Sequence, residues 1–135
     1  MLLSCRILDG VSSANDFEYK PQAEWVEGTP TTVYLQLIDV SKDRASKGFS
    51  PAGRRYVPAA GATLQVVVES IDDAKTITRT ATQPFATDGS IWSFSVLATD
   101  TIKGTATIRL RLSQSGVITY GSAIKAVSII PQDAI

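Results

Sequence analysis

The chain has 135 residues, of which 44% are hydrophobic and 19% charged, and its 13 acidic and 13 basic residues balance. This composition is typical of one globular domain with its own core. The zero net charge gives no long-range attraction to nucleic acid or to anionic membranes. The chain has no histidine and one cysteine, Cys5. That count excludes an intramolecular disulfide and argues against zinc, haem and iron–sulfur sites.

The start of the chain combines a strand signal with irregular sequence. The apolar run 2–8 predicts a first strand, and turn-forming residues follow it. Residues 17–30 mix aromatic side chains with prolines and glycines and show no regular period. We therefore predict an irregular arm over 9–30, in which Trp25 and Val26 form either a short strand or a plug under the sandwich. The domain organisation is then an N-terminal strand and arm, 1–30, and a β-sandwich, 31–135, within a single structural domain.

Alternating apolar and polar residues, the pattern of a strand with one buried face, recur along the rest of the chain. The predicted strands cover 31–39, 62–70, 75–82, 91–97, 105–113 and 117–130. Lys75 and Arg79 mark one of them as an edge strand that is protected from stray pairing. Residues 40–58 show no regular pattern and are predicted to be a long loop, pinned near its end by Tyr56.

The strand that follows the Asp88-Gly89 turn is predicted to lie in the middle of the sandwich. Its largest side chains, Trp92 and Phe94, point to one side, and each would bury roughly 150–250 Å². Cys5, within the first apolar run, is expected to pack as a small hydrophobic side chain.

Short signals between the strands predict the connections. Residues 97–102 predict one capped helical turn. Gln114-Ser115-Gly116 predicts a hairpin turn, and Gly121 predicts a bulge or break in the last strand.

The pattern as a whole is typical of an all-β protein with about seven to eight strands and turns every 8–12 residues. We predict an antiparallel, immunoglobulin-like β-sandwich with an irregular N-terminal arm and the long loop 40–58. A small closed barrel is the alternative architecture. The Cys…Trp…Cys framework of antibody domains is absent from the sequence, so the likeness is one of architecture alone.

Catalytic constellations are absent from the sequence. A serine nucleophile needs a positioned base, commonly histidine; a Ser–Lys pair is conceivable, but no motif indicates one. Asp72 and Asp73 are adjacent in a predicted turn, where Asx-type hydrogen bonding is the expected role, not glycoside hydrolysis. No glycine-rich phosphate loop is present. We predict no catalytic residue, no metal ligand and no cofactor, and neither a membrane span nor a signal peptide.

Charge is unevenly distributed along the chain. Residues 1–39 hold six acidic against two basic residues, a net of −4, and residues 40–60 hold five basic residues against one acidic residue, a net of +4. These segments are either two solvated surfaces or a complementary pair that meets between subunits. Basic and aromatic residues in the loop also raise nucleic-acid binding as an alternative, but the zero net charge and the acidic N-terminal third argue against it. Exposed tyrosines such as Tyr34 suggest sugar binding as a further alternative function.

The arm and the loop supply the residues that we predict to contact a partner, because sandwiches bind through such segments. From the loop these are Arg44, Lys47, Arg54, Arg55 and Tyr56, and from the arm Phe17, Tyr19 and Trp25. Reversing Arg54 and Arg55 to Glu is expected to abolish partner binding without lowering the melting temperature.

Two blocks of sequence carry a resemblance to a known group of proteins. The blocks Arg55–Leu64 and Pro84–Trp92, the second followed by 98–101, resemble small structural proteins of tailed bacteriophages. The arrangement over 55–130 is similar to the sandwich module at the start of some baseplate upper proteins. This chain departs from them in having no longer C-terminal part, so a stand-alone virion component is expected.

The resemblance implies a non-enzymatic virion structural protein that is made in the host cytoplasm. Such a protein would dock onto neighbouring capsid, collar, tail or baseplate subunits, as a homo-oligomer or multi-copy array, with other virion structural proteins as its partners. No catalytic residue is implied. A carbohydrate-binding or adhesive module and a small hydrolase remain the alternative functions.

Overall fold

A computed structural model describes residues 1–40, 54–72, 74–123 and 127–131. In that part of the chain all regular structure is β, in eleven strands. The strands are β1 (Leu3–Ser13), β2 (Asp16–Lys20), β3 (Glu24–Val26), β4 (Thr31–Asp39), β5 (Arg54–Arg55), β6 (Thr63–Ser70), β7 (Thr76–Ala81), β8 (Ile91–Val96), β9 (Gly104–Gln114), β10 (Val117–Ala123) and β11 (Val127–Ile130). Most of the predicted loop, including Arg44 and Lys47, lies outside the described residues.

The strands form two layers that are joined along one side. One layer runs β7-β6-β9 and continues into β10 and β11, with β3 outside β11. The other runs β8-β4-β1-β2, with the short β5 beside β4. A parallel pairing of β1 with β10 connects the layers. The predicted antiparallel, immunoglobulin-like β-sandwich is confirmed as the fold class, with eleven described strands instead of seven or eight.

The core between the layers follows from the two-residue period of the strands. On β6, Leu64, Val66 and Val68 are fully buried, whereas the residues between them are partly exposed. Strand β9 repeats the pattern, and its Leu110 lies opposite Val66. These side chains form one cluster with the inner faces of β1, β4 and β8. Cys5 belongs to that cluster, and its burial raises the pKa of its thiol to about 12.

The strand of Trp92 has the predicted orientation but not the predicted position. Trp92 and Phe94 are both buried in the core. Strand β8, however, pairs along its length only with β4, so it lies at the side of its layer. On its other side, Thr82 and Ser93 exchange two backbone hydrogen bonds of 2.9 and 2.8 Å. Apolar alternation reports that one face of a strand is buried and does not report how many strands flank it.

The predicted irregular arm is largely strand. Strand β1 continues to Ser13, β2 returns antiparallel to it, and β3 pairs in parallel with β11. The sequence hid this structure because β2 alternates aromatic residues with charged ones and buries neither set. Trp25, on β3, is 4% exposed and belongs to the core cluster. The prediction that Trp25 contacts a partner is therefore wrong, because its side chain fills the interior.

The connection between β9, β10 and β1 depends on two turn residues and one close approach. Ser115 and Gly116 both have positive φ, 51° and 79°, which is the conformation of a two-residue type I′ hairpin and confirms the predicted turn. Gly121 is not a break, because β10 continues through it. A Cβ at Gly121 would overlap the backbone of Leu3, so glycine allows β1 to approach β10.

The segment after β8 is a turn and not the predicted helical turn. The Leu97 amide donates to the Asp100 carboxylate at 2.7 Å, and the Asp100 amide donates to the Leu97 carbonyl at 3.0 Å. The same carboxylate accepts two hydrogen bonds from Arg79 of β7, at 2.6 and 2.5 Å. Asp100 thus caps its own turn and fastens it to the neighbouring outer strand.

Candidate contact surface

The outer face of the β2-β1-β4 layer carries two of the predicted contact residues side by side. The rings of Phe17 and Tyr19 meet edge to face, with centroids 5.6 Å apart and an interplanar angle of 77°. The guanidinium carbon of Arg6 lies 5.1 Å from the Tyr19 ring centroid, within the range of a cation–π contact. Tyr19 is nevertheless 58% exposed. Its ring is held from one side and open on the other.

Strand register explains why these side chains meet. Residues directly opposite each other in neighbouring strands share a face. Tyr19 of β2 lies opposite Leu8 of β1, and Leu8 lies opposite Tyr34 of β4. Arg6, two positions before Leu8, lies on the same face and opposite Gln36. The outer face therefore carries a row of aromatic and aliphatic side chains beside a row of polar ones.

A chain of hydrogen bonds runs from Tyr19 across this layer. The Tyr19 hydroxyl donates to Gln36 Oε1 at 3.2 Å, and Gln36 Nε2 donates to Ser90 Oγ at 3.4 Å. The Ser90 hydroxyl donates to Asp88 Oδ1 at 2.6 Å. Gln36 and Ser90 are 3% and 0% exposed, so the middle of the chain is shielded from water. Buried polar groups that satisfy one another fix side-chain positions.

The series of hydrogen bonds that begins at Tyr19 ends at an ion pair between Asp88 and Arg55. Arg55 Nη1 donates to Asp88 Oδ2 at 3.1 Å, while the other carboxylate oxygen accepts from the Ser90 amide at 3.0 Å. The side chain of Asp88 is 8% exposed and that of Arg55 is 66% exposed. A guanidinium has five N–H donors, so Arg55 retains donors at the surface while Asp88 holds its position.

Tyr56 fastens the segment that carries Arg55. Its amide donates to the Leu37 carbonyl at 2.8 Å. Its hydroxyl accepts a hydrogen bond of 2.6 Å from Gln114 Nε2, and Gln114 Oε1 accepts one of 2.9 Å from the Ala59 amide. The ring is partly buried against the core. Tyr56 thus pins the end of the loop, as predicted, and acts as an anchor.

The acidic residues of β2 lie on the face of the strand opposite to the aromatic pair. Asp16 and Glu18 alternate with Phe17 and Tyr19 along β2, and both are exposed. Asp16 Oδ2 accepts a hydrogen bond of 2.6 Å from the Ser12 hydroxyl across the β1–β2 turn. We call Arg6, Phe17, Tyr19 and Arg55 the contact surface, and the two carboxylates lie outside it.

The structure unites only part of the predicted set. Phe17, Tyr19 and Arg55 belong to the contact surface, and Arg54 precedes Arg55 in β5, where it is exposed. Three residues that organise the surface were not among the predicted contact residues: Arg6, Gln36 and Asp88. Gln36 was detectable as a polar residue inside a strongly apolar strand. Asp88 was assigned to a turn, and nothing in the sequence indicated its pairing with a residue 33 positions away.

Comparison with known proteins adds a weak structural neighbour. No family model and no curated protein matches the chain. A solved structure to which it is similar is a crystal structure of the Lin-41 filamin domain, with a TM-score of 0.44 and 18% identity, covering 82% of this chain and 85% of that one. That likeness is too slight to support any argument about function. Among the described residues, no helix is long and apolar enough to span a membrane.

Proposed function

We propose that the protein is a non-enzymatic structural component of a tailed-bacteriophage virion, which docks onto a neighbouring virion subunit through the contact surface. The observation that carries the proposal is the hydrogen-bonded chain from Tyr19 to Arg55. It holds an exposed aromatic ring and an exposed guanidinium in fixed relative positions on a rigid sheet. Tyrosine and arginine are the side chains that most often anchor protein interfaces.

The resemblance to phage proteins falls on this same network. One of its two blocks supplies Arg55 and the other supplies Asp88 and Ser90, and the structure joins them by hydrogen bonds. This supports a shared docking role for the two segments.

A hollow elsewhere in the molecule does not favour the hydrolase alternative. The hollow, of about 400 Å³, lies beside β7 and is lined by Lys75, Asp100 and neighbouring residues. Asp100 is already bound by Arg79 and by the Leu97 amide. A carboxylate committed to an ion pair and a turn is poorly placed to act as a general base.

The test is incorporation into particles of the phage that encodes the chain. We expect mass spectrometry of purified particles to find the wild-type chain in a defined copy number. Tyr19→Ser should be missing from particles although it folds, because it removes the exposed ring and the first hydrogen bond of the chain. Ile71→Ser, a matched change at a residue that is 65% exposed and remote from the contact surface, should be incorporated normally.

Two results would contradict the proposal. Absence of the wild-type chain from purified particles would exclude a virion role. Low-micromolar binding of the isolated chain to a glycan array, lost in Tyr19→Ser, would instead support the carbohydrate-binding alternative.

Charge reversal at Arg55 is a weaker test of docking than Tyr19→Ser. Because Arg55 pairs with the buried Asp88, Arg55→Glu should lower the melting temperature, contrary to the expectation from sequence.

A further inference from the structure

The first half of β10 is an open sheet edge. Val117 to Tyr120 pair with β9 on one side. Strand β1 reaches β10 only from Gly121 onward, so no described strand covers the other side of this four-residue stretch. Its apolar side chains are exposed, with Val117 at 61%, Ile118 at 42% and Tyr120 at 70%. Both backbone hydrogen-bonding groups and apolar side chains are therefore available there.

Other outer strands in the described structure are protected by charge. Strand β7 carries Arg79, and β5 consists of two arginines. Strand β2 carries Asp16, Glu18 and Lys20, and β3 carries Glu24. Strand β8 has no charged residue, but Ser93 in its middle is already paired with Thr82 by two backbone hydrogen bonds. Charged edges are the usual protection of a sheet against pairing with another chain, and the stretch from Val117 to Tyr120 lacks it.

We propose that this edge pairs with the same edge of a second copy, in an antiparallel, twofold-symmetric strand pair centred on Thr119. A twofold axis perpendicular to the sheet keeps the outer face outward in both copies, so residues of the same face oppose each other. Centring on Thr119 places Thr119 opposite itself and Ile118 opposite Tyr120, twice. Aromatic–β-branched and Thr–Thr pairs are among the favourable cross-strand pairs.

The second copy fits this edge for two further reasons. Side chains near a twofold axis meet their own counterparts, so a charge there would repel itself, and this stretch has none. Pairing in this register ends where Val117 of one copy would reach Gly121 of the other, because Leu3 already occupies that position. The segment open for pairing and the segment that is self-complementary therefore coincide.

The expected association is weak. Three paired residues with flanking apolar side chains are small beside the roughly 800 Å² per partner of a standard stable interface. The dimer should form at high local concentration, as on an assembled surface. The inference does not rest on the proposed virion role, because it uses a different strand and a different partner.

A cross-linking experiment tests the register directly. In Thr119→Cys the two introduced thiols would face each other across the axis, at a separation that a disulfide spans. We expect oxidation of the full chain to yield covalent dimers faster than in Thr78→Cys, a matched change on the charged edge strand β7. Native Cys5 does not compete, because it is buried at 1% exposure. Equal dimer yields from the two variants would overturn the proposed pairing.

Sedimentation equilibrium supplies a second, independent measurement. The wild-type chain should show concentration-dependent dimerisation between micromolar and millimolar concentrations. Ile118→Lys should lose at least tenfold in association constant while its thermal unfolding is unchanged, since the residue is exposed. Tyr19→Ser should dimerise like the wild type, which separates this inference from docking. A wild-type chain that stays monomeric throughout the range, or that associates no better than Ile118→Lys, would refute it.

Discussion

Strands β2 and β10 lie end to end along the same side of β1 and differ in the partner they can accept. Strand β10 borders Leu3–Cys5 and β2 borders Ile7–Ser13. Three of the five residues of β2 are charged, whereas the open half of β10 has no charge. A charged edge repels another strand and presents its side chains to a shaped surface. An uncharged edge offers its backbone, which a strand of similar chemistry can pair with.

The largest expected effect removes the scaffold that both strands share. Trp92→Ala should lower the free energy of unfolding by about 3–5 kcal/mol, because it leaves a cavity in the core. Urea denaturation at neutral pH measures this, and hydrogen exchange should show β2 and β10 weakened together. Leu97→Ala, at a residue that is 47% exposed, should change stability by less than about 0.5 kcal/mol. Comparable losses in both variants would show that Trp92 is not a core residue.

A smaller effect should separate the two strands. Gly121→Ala places a methyl group against the Leu3 backbone and should cost roughly 1–3 kcal/mol, the range for overpacking. Because the clash lies between β1 and β10, hydrogen exchange should accelerate in β10 before β2. Ser122→Ala, at the next and exposed position, serves as the control and should leave both strands unchanged. Equal acceleration of hydrogen exchange in β2 and β10 would show that the β1–β10 pairing does not open independently of the β1–β2 pairing.

A still smaller effect concerns β2 alone. Tyr19→Phe keeps the ring above Arg6 but removes the hydrogen bond to the buried Gln36, at an expected cost of about 0.5–1.5 kcal/mol. Tyr120→Phe is the matched change on β10 and should be neutral, because that ring is 70% exposed. Denaturation midpoints of the two variants measured side by side check the difference. Identical midpoints would show that the Tyr19 hydroxyl forms no stabilising hydrogen bond with Gln36.

The smallest effect is a change in thiol reactivity where β1 meets β10. Cys5 is buried, and its pKa is raised to about 12 by desolvation, so almost no thiolate exists at neutral pH. Labelling by a thiol reagent should therefore require local opening. Gly121→Ala should increase the labelling rate more than Tyr19→Phe does, because Cys5 pairs with Ala123 of β10. A larger increase in labelling rate in Tyr19→Phe would show that Cys5 becomes accessible through opening of the β1–β2 pairing.

Prediction from sequence succeeded where one face of a strand packs on the core. Strands β6 and β9 alternate cleanly because every second side chain enters the interior, and their extents agree closely with the predicted ones. The prediction of an irregular arm was wrong for the opposite reason. Strand β2 lies at the edge, and although its aromatic and charged residues alternate, neither set forms a buried face.

The contact surface was only partly predictable, because its organisation depends on contacts between distant segments. Phe17 and Tyr19 were found as aromatic residues in a polar segment, and Arg55 as a basic residue in a loop. Their connection through Gln36 and Asp88 involves separations of 17 and 33 residues along the chain. Composition and spacing carry no signal for such links, and Trp25 was misassigned because an isolated tryptophan looks the same in an arm and in a core.

The bridge between Thr82 and Ser93 has a consequence for how far assembly can proceed. It occupies the middle of the free side of β8, so an incoming strand cannot pair along the whole of β8. If the β10 edge is then consumed by pairing with its own copy, the resulting pair presents no further uncharged edge among the described strands. For the described strands, the proposed pairing would therefore stop growth by strand addition at two copies.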